Sequence, residues 1–96
     1  MEALTIVNDE RMMQFQVRSG DELAYLEYRL HEGAIALMHT EVPGPLGGKG
    51  IATALAEYAF RYARERGLWV KVYCPFVAVW LKKHPEQLDI VIPRPD

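Results

Sequence analysis

The sequence has one cysteine, Cys74, which excludes an internal disulfide and any metal site built from several cysteines. A lone cysteine also suits a reducing compartment. The net charge is only -2 and no run of five like charges occurs, which argues against nonspecific nucleic-acid binding. No segment approaches the roughly 18 apolar residues of a membrane-spanning helix, and the N-terminus lacks a basic flank followed by an apolar run. We therefore expect a cytoplasmic protein that has no membrane partner.

The composition is that of one globular domain. Half of the 96 residues are hydrophobic and a quarter are charged. This length lies at the small end of the domain range, where a single hydrophobic core is expected. We therefore expect one domain over residues 1–96, with no internal repeat.

Strand patterns fill the N-terminal half. Residues 4–18 predict a hairpin whose turn lies at Asn8-Asp9, because this pair favours turns. Residues 22–30 alternate between two faces, as in a half-buried strand. Residues 34–42 are almost continuously apolar, which predicts a central strand covered on both faces.

The C-terminal half predicts a strand, helix, strand unit. Apolar residues at helical spacing continue to about Arg66, and Gly67 is a natural C-cap. Residues 68–74 then alternate as a strand, so the strands before and after the helix should pair in parallel. A shorter helix is predicted from Pro75, followed by a short strand over residues 88–92.

The glycine cluster Gly47-Gly48-Lys49-Gly50 separates the central strand from the long helix. Backbone without side chains can approach an anion closely, and the free N–H groups of the first helical turn point at it, so diphosphate is the natural ligand. The cluster could also be only a tight turn after two prolines. A nucleotide P-loop is excluded because Lys49 is followed by glycine rather than serine or threonine. The dinucleotide pattern fails as well, because no third glycine follows Gly50.

Three blocks resemble the GNAT acetyltransferases, and within them the very small single-domain members. They are His39-Thr40-Glu41-Val42-Pro43, Gly48-Lys49-Gly50-Ile51-Ala52, and Cys74-Pro75-Phe76-Val77 with His84-Pro85-Glu86. The resemblance implies an α/β (α+β) domain with a mixed, mostly antiparallel sheet, two helices and a central pair of parallel strands that splay apart. It implies acetyl-coenzyme A as co-substrate, with the pantetheine arm in the gap, and no metal.

The resemblance also implies which residues contact the cofactor. The backbone of Val42 would bind the pantetheine arm, and the remaining contacts would come from Leu46, Gly47, Gly48, Lys49, Gly50, Ile51, Ala52 and Phe76. Pro45 departs from the superfamily signature [QR]-x-x-G-x-[GA], so one polar contact and one N–H are missing. Lys82 and Lys83 could meet the 3′-phosphate of the cofactor, although such lysines are most often solvated.

Cys74 and His39 are the predicted catalytic residues. Cys74 ends the second parallel strand, at the position where the small subfamily has a proposed catalytic cysteine, and its thiolate could accept the acetyl group. A thiol is mostly protonated at neutral pH, so this role needs a base such as His39 or a helix N-terminus. The alternatives are a buried structural thiol and a core histidine on the face of Ile35 and Leu37. Glu41 could instead activate an amine through water.

The resemblance therefore implies an enzyme, an acetyl-coenzyme A-dependent N-acetyltransferase. Its acceptor would be an unidentified amine on a small molecule or a protein, and the acetyl group could pass through an acetyl-Cys74 intermediate. The resemblance also implies a tyrosine on the last helix that protonates the leaving thiolate. This helix has no tyrosine, which favours a role for Cys74. The other hypothesis is a coenzyme A-binding or partner-docking module with little turnover. A monomer or weak homodimer is expected in either case.

Overall fold

The computed structural model describes residues 4–93, which form a five-stranded sheet and two α-helices. The strands are β1 (Val7–Asp9), β2 (Gln14–Ser19), β3 (Glu22–His31), β4 (Ala34–Glu41) and β5 (Trp69–Val72). The helices are α1 (Ile51–Glu65) and α2 (Pro75–Lys82), and 3-10 turns occupy Gly44–Leu46 and Pro85–Ile90. No helix within residues 4–93 is both long and apolar enough to cross a membrane.

Within residues 4–93 the strands lie in the order β1-β2-β3-β4-β5, and of these strand pairs only β4–β5 is parallel. Helix α1 connects these two strands, which is the crossover that parallel pairing requires. The predicted mixed, mostly antiparallel sheet with one parallel pair is confirmed, but the pair stands at one end of the strand order and not at its centre.

The first hairpin turns later than predicted. Asn8 and Asp9 belong to β1, and the chain reverses over residues 10–13. Asp9 Oδ1 accepts a hydrogen bond from the Met12 N–H at 3.0 Å, so the aspartate stabilises the turn from its edge. The Tyr28 hydroxyl donates to Asn8 Oδ1 at 2.7 Å, and burial raises the pKa of Tyr28 above its ordinary value.

Both helices pack against one face of the sheet. On β3 the residues toward the helices, Ala24, Leu26 and Tyr28, are buried, whereas the intervening Tyr25 and Glu27 are only partly covered. The core below the helices contains an aromatic group in which Phe15 stacks on Tyr28 and meets Tyr58 and Tyr62 edge-on. The prediction that β4 is covered on both faces is therefore wrong. Its apolar character comes from a central position in the sheet, with helices on one face only.

The predicted final strand over residues 88–92 is also wrong, because Pro85 starts a 3-10 turn that continues to Ile90. In the part of the chain that the structure describes, only an isolated bridge between Val91 and Val70 extends the sheet beyond β5. Arg64 of α1 binds the carboxylate of Asp89 through two hydrogen bonds and also donates to Gln87, so this segment is attached to the long helix.

Candidate active site

Strands β4 and β5 separate before β4 ends. Their paired residues stop at Leu37 and Val72, and the Leu37 carbonyl accepts the N–H groups of both Tyr73 and Cys74 at 2.9 Å. Cys74 is the N-cap of α2, which turns the chain away from the sheet. Strand β4 continues to Glu41 without a β5 partner within residues 4–93. The two parallel strands therefore part at their carboxyl ends.

A β-bulge lies in β4 at this point. Leu37 pairs with Tyr28 and His39 pairs with Glu27, so Met38 is an extra residue in β4. The bulge reverses the alternation of side chains, so that Thr40 lies opposite the buried Leu26 on the helix-covered face. His39 and Glu41 take the opposite, helix-free face. The expectation that His39 shares a face with Ile35 and Leu37 is wrong for this reason.

Cys74 contacts Thr40, not His39. The Cys74 sulfur lies 3.1 Å from Thr40 Oγ1, and Cys74 is 1% exposed. Thr40 is not among the predicted site residues, although it stands inside the His39-Thr40-Glu41-Val42-Pro43 block. Thr40 faces the sulfur only because of the bulge, and the alternation of apolar and polar residues in the sequence does not reveal the bulge. The carboxyl ends of the two strands thus bring a thiol and a hydroxyl together.

His39 and Glu41 form a pair on the helix-free face. His39 Nε2 lies 3.1 Å from Glu41 Oε1, and both side chains are about half exposed, at 52% and 54%. The Tyr25 ring stands edge-on to the imidazole with 6.2 Å between ring centroids. An imidazole oriented by a carboxylate and open to solvent is chemically able to take a proton from an amine.

The glycine turn adopts the left-handed backbone conformation that glycine favours. Gly48 and Gly50 have φ of 75° and 72°, and Gly50 is the left-handed N-cap of α1. Within residues 4–93 the N–H groups of residues 48–53 have no hydrogen-bond acceptor, and the first turn of α1 has no acidic side chain. Buried Leu46 and Ile51 anchor the two ends of the turn. These N–H groups form a positively polarised surface suited to an anion.

The remaining predicted cofactor residues differ in what they can offer. The Gly47 N–H is already bonded to the Gly44 carbonyl at 3.0 Å, so it is not free for a ligand. Val42 follows β4 and packs against the core, and Ala52 lies partly buried in the first turn of α1. Phe76 is 36% exposed at the start of α2. Among residues 4–93 no group of three or more His, Cys, Asp or Glu side chains could hold a metal ion.

Comparison with known proteins bears on this geometry. A protein-family model described as GCN5-related N-acetyl-transferase matches residues 14–90. Protein NATD1 of Bos taurus is 32% identical over 85 residues, which cover 85% of this chain and 75% of the relative. Protein NATD1 of Homo sapiens is 31% identical with the same coverage. The NMR solution structure of a GCN5-like candidate N-acetyltransferase from Staphylococcus aureus superposes with a TM-score of 0.74 at 28% identity, covering 96% of this chain and 91% of that one.

Proposed function

The chain belongs to the GCN5-related N-acetyltransferase family, and on that premise we propose that it binds acetyl-coenzyme A and transfers the acetyl group to an amine. The observation that carries the proposal is the parting of β4 and β5 after Leu37 and Val72, next to a helix start whose N–H groups have no acceptor within residues 4–93. A gap for an extended arm and a site for diphosphate thus adjoin each other.

In this proposal the diphosphate binds at the start of α1. The N–H groups of residues 48–52 and the Lys49 ammonium face it, since helix N-termini and lysine both stabilise phosphate oxygens. The pantetheine arm then follows the unpaired edge of β4 toward Val42, with Phe76 on its other side. The thioester lies near the point where Thr40 and Cys74 meet.

The acceptor approaches from the helix-free face. Its neutral amine attacks the thioester carbonyl carbon, and the bond from that carbon to the coenzyme A sulfur breaks. The coenzyme A thiolate leaves and takes a proton from solvent, and the amine nitrogen gives its own proton to His39. Glu41 stabilises the imidazolium that forms, because their nitrogen and oxygen are 3.1 Å apart.

A covalent route would use Cys74 first. Its thiolate would displace coenzyme A to give an acetyl-cysteine, and the amine would then attack that thioester and restore the thiolate. Cys74 is 1% exposed, and Thr40 is the only hydrogen-bond partner of its sulfur within residues 4–93. A reactive cysteine normally lies in an electropositive, partly exposed environment. The geometry therefore favours direct transfer over the acetyl-Cys74 intermediate.

The second candidate function is a coenzyme A-binding or partner-docking module with little turnover. The observation that favours it is the helix-free face itself. His39 and Glu41 stand half exposed there, and no helix within residues 4–93 encloses an acceptor beside them. A module of this kind would bind the cofactor as described and would leave the acceptor to another chain.

Intact-mass measurement distinguishes these possibilities. Wild type and Cys74→Ala are incubated with acetyl-coenzyme A, then with a panel of amines, and both protein mass and acetylated amine are recorded. Direct transfer predicts acetylated amine from both proteins and an adduct on neither. An adduct of about 42 Da on wild type alone identifies the covalent route.

Binding is tested separately by thermal unfolding. Coenzyme A at saturating concentration should raise the melting temperature of both proteins, because a ligand of the native state stabilises it by mass action. A higher melting temperature without acetylation of any amine would support the binding-module hypothesis. If coenzyme A has no effect on melting, the proposed function is wrong.

A further inference from the structure

A groove of about 1010 Å³ runs along α1 on the side away from α2. It begins at Gly48 and Lys49 in the glycine turn and reaches Arg61 more than two helical turns later. The N-terminal segment and the end of β2 form its other wall. This volume lies at the upper end of the range for small-molecule sites, about 300–1,000 Å³.

The groove is positively charged although the chain is not. Three cations border it, Arg18, Lys49 and Arg61, against one carboxylate, Glu57, whereas the chain as a whole has a net charge of -2. None of the three cations has a carboxylate within salt-bridge distance in residues 4–93. Two of the four other described arginines do have such partners.

Arg29 binds Glu27 and Arg64 binds Asp89. Both arginines lie outside the groove. The structure thus leaves unpaired cations in a concave site that is continuous with the proposed diphosphate position.

We propose that this groove binds the nucleotide end of coenzyme A, with its 3′-phosphate at Arg18 and Arg61. The inference rests on the proposed function, because it takes the diphosphate to lie at the start of α1. Side chains on a helix point toward its N-terminus, so Arg61 extends back toward the glycine turn. Phosphate is the group that arginine binds best, through paired N–H donors.

The groove also offers a surface for the adenine ring. Tyr58 lines it between the glycine turn and Arg61, and its ring is held edge-on against Phe15 with 5.1 Å between centroids. Ile6 and Val17 add apolar walls. A flat heteroaromatic ring gains from stacking on such a fixed aromatic side chain.

Lys82 and Lys83 are the other cations considered for the 3′-phosphate. They lie at the C-terminal end of α2, whereas Cys74 lies at its N-terminal end next to the gap. The length of the helix therefore separates both lysines from the gap. Lys82 borders a separate, mostly apolar pocket of about 390 Å³ beside β5. Arg18 and Arg61 are therefore better placed relative to the glycine turn.

The test compares coenzyme A with dephospho-coenzyme A, which has a hydroxyl in place of the 3′-phosphate. Dissociation constants are measured calorimetrically for wild type, Arg18→Gln, Arg61→Gln and the control Lys82→Gln/Lys83→Gln, after unfolding curves show that all are folded. Wild type should bind coenzyme A about tenfold more tightly than dephospho-coenzyme A, as expected for charge-assisted hydrogen bonds to phosphate. Each arginine variant should lose most of that preference and bind dephospho-coenzyme A as wild type does, while the lysine control keeps it.

Two results would overturn this inference and leave the proposed function standing. One is equal affinity of wild type for the two ligands. The other is loss of the preference in the lysine control but not in the arginine variants. Failure of wild type to bind either ligand would instead reject the proposed function together with the inference.

Discussion

The two halves of β4 have the same strand geometry but different surroundings. Residues 34–37 pair with β3 on one edge and β5 on the other, and Ile35 and Leu37 are fully buried. Residues 39–41 pair with β3 alone, Met38 is the extra residue of the bulge, and all four side chains are exposed or partly exposed. The first half holds the sheet together. The second half has an edge that no strand of residues 4–93 occupies.

The bulge at Met38 marks the boundary between these halves. Before it, the residue facing the helices is Leu37, and after it that place is taken by Thr40. One extra residue therefore changes the helix-facing side from apolar to polar where the strands part. Bulges are frequent next to active sites because they redirect side chains in this way. Substitutions on the two sides of this boundary should therefore affect different properties.

The largest effect is expected from Leu37→Ala in the buried half. Leu37 is 0% exposed in the core, so its truncation should lower the free energy of unfolding by about 2–5 kcal/mol. Met38→Ala is the matched control, since Met38 is 37% exposed and its truncation should cost less than about 1 kcal/mol. Urea denaturation measures both. Similar losses for the two variants would show that the two halves of β4 are equally structural.

The sequence predicted the supporting framework of the site well. Gly48 and Gly50 were predicted to form a turn before a helix, and both have the positive φ that glycine permits. The order of strand, helix and strand predicted the parallel pair, because a helix between two strands returns the chain to the end of the sheet from which the first strand started. These features depend on local pattern and on residues with special backbone freedom.

The bulge could not be predicted in the same way. Alternation from Ile35 onward assigns His39 to the helix-covered face, and a single extra residue reverses that assignment. The bulge depends on how β3 and β4 fit together across the sheet, which no local pattern encodes. The segment after Pro85 was also assigned wrongly, because its partly buried Leu88 and Ile90 suit a strand as well as the observed 3-10 turn.

An intermediate effect is expected from His39→Gln in the exposed half, and it should appear in the reaction and not in stability. Loss of a general base typically lowers the rate about 100-fold or more. The side chain is 52% exposed, so the free energy of unfolding should change by less than about 0.5 kcal/mol. Initial rates of amine acetylation, followed over a range of amine concentrations, measure kcat and KM separately.

His84→Gln is the control for this prediction. His84 Nδ1 lies 3.2 Å from Glu86 Oε2, so it belongs to a similar histidine–glutamate pair, but it stands at the end of α2 away from the gap. Its substitution should leave the rate unchanged. An equal loss of rate in both variants, or no loss in His39→Gln, would show that His39 is not the general base.

The smallest effect is expected from Thr40→Val, which removes the hydroxyl next to the Cys74 sulfur and keeps the side-chain shape. Cys74 is the only cysteine, so alkylation by iodoacetamide reports on this sulfur alone. If the hydroxyl donates to the sulfur, it stabilises the reactive thiolate, and its loss should slow alkylation about fivefold, as for one hydrogen bond of about 1 kcal/mol. Thr40→Ser keeps the donor and should react at nearly the wild-type rate. Faster alkylation of Thr40→Val would mean that the thiol donates its hydrogen bond to Thr40. In that case Thr40 keeps Cys74 in the unreactive thiol form.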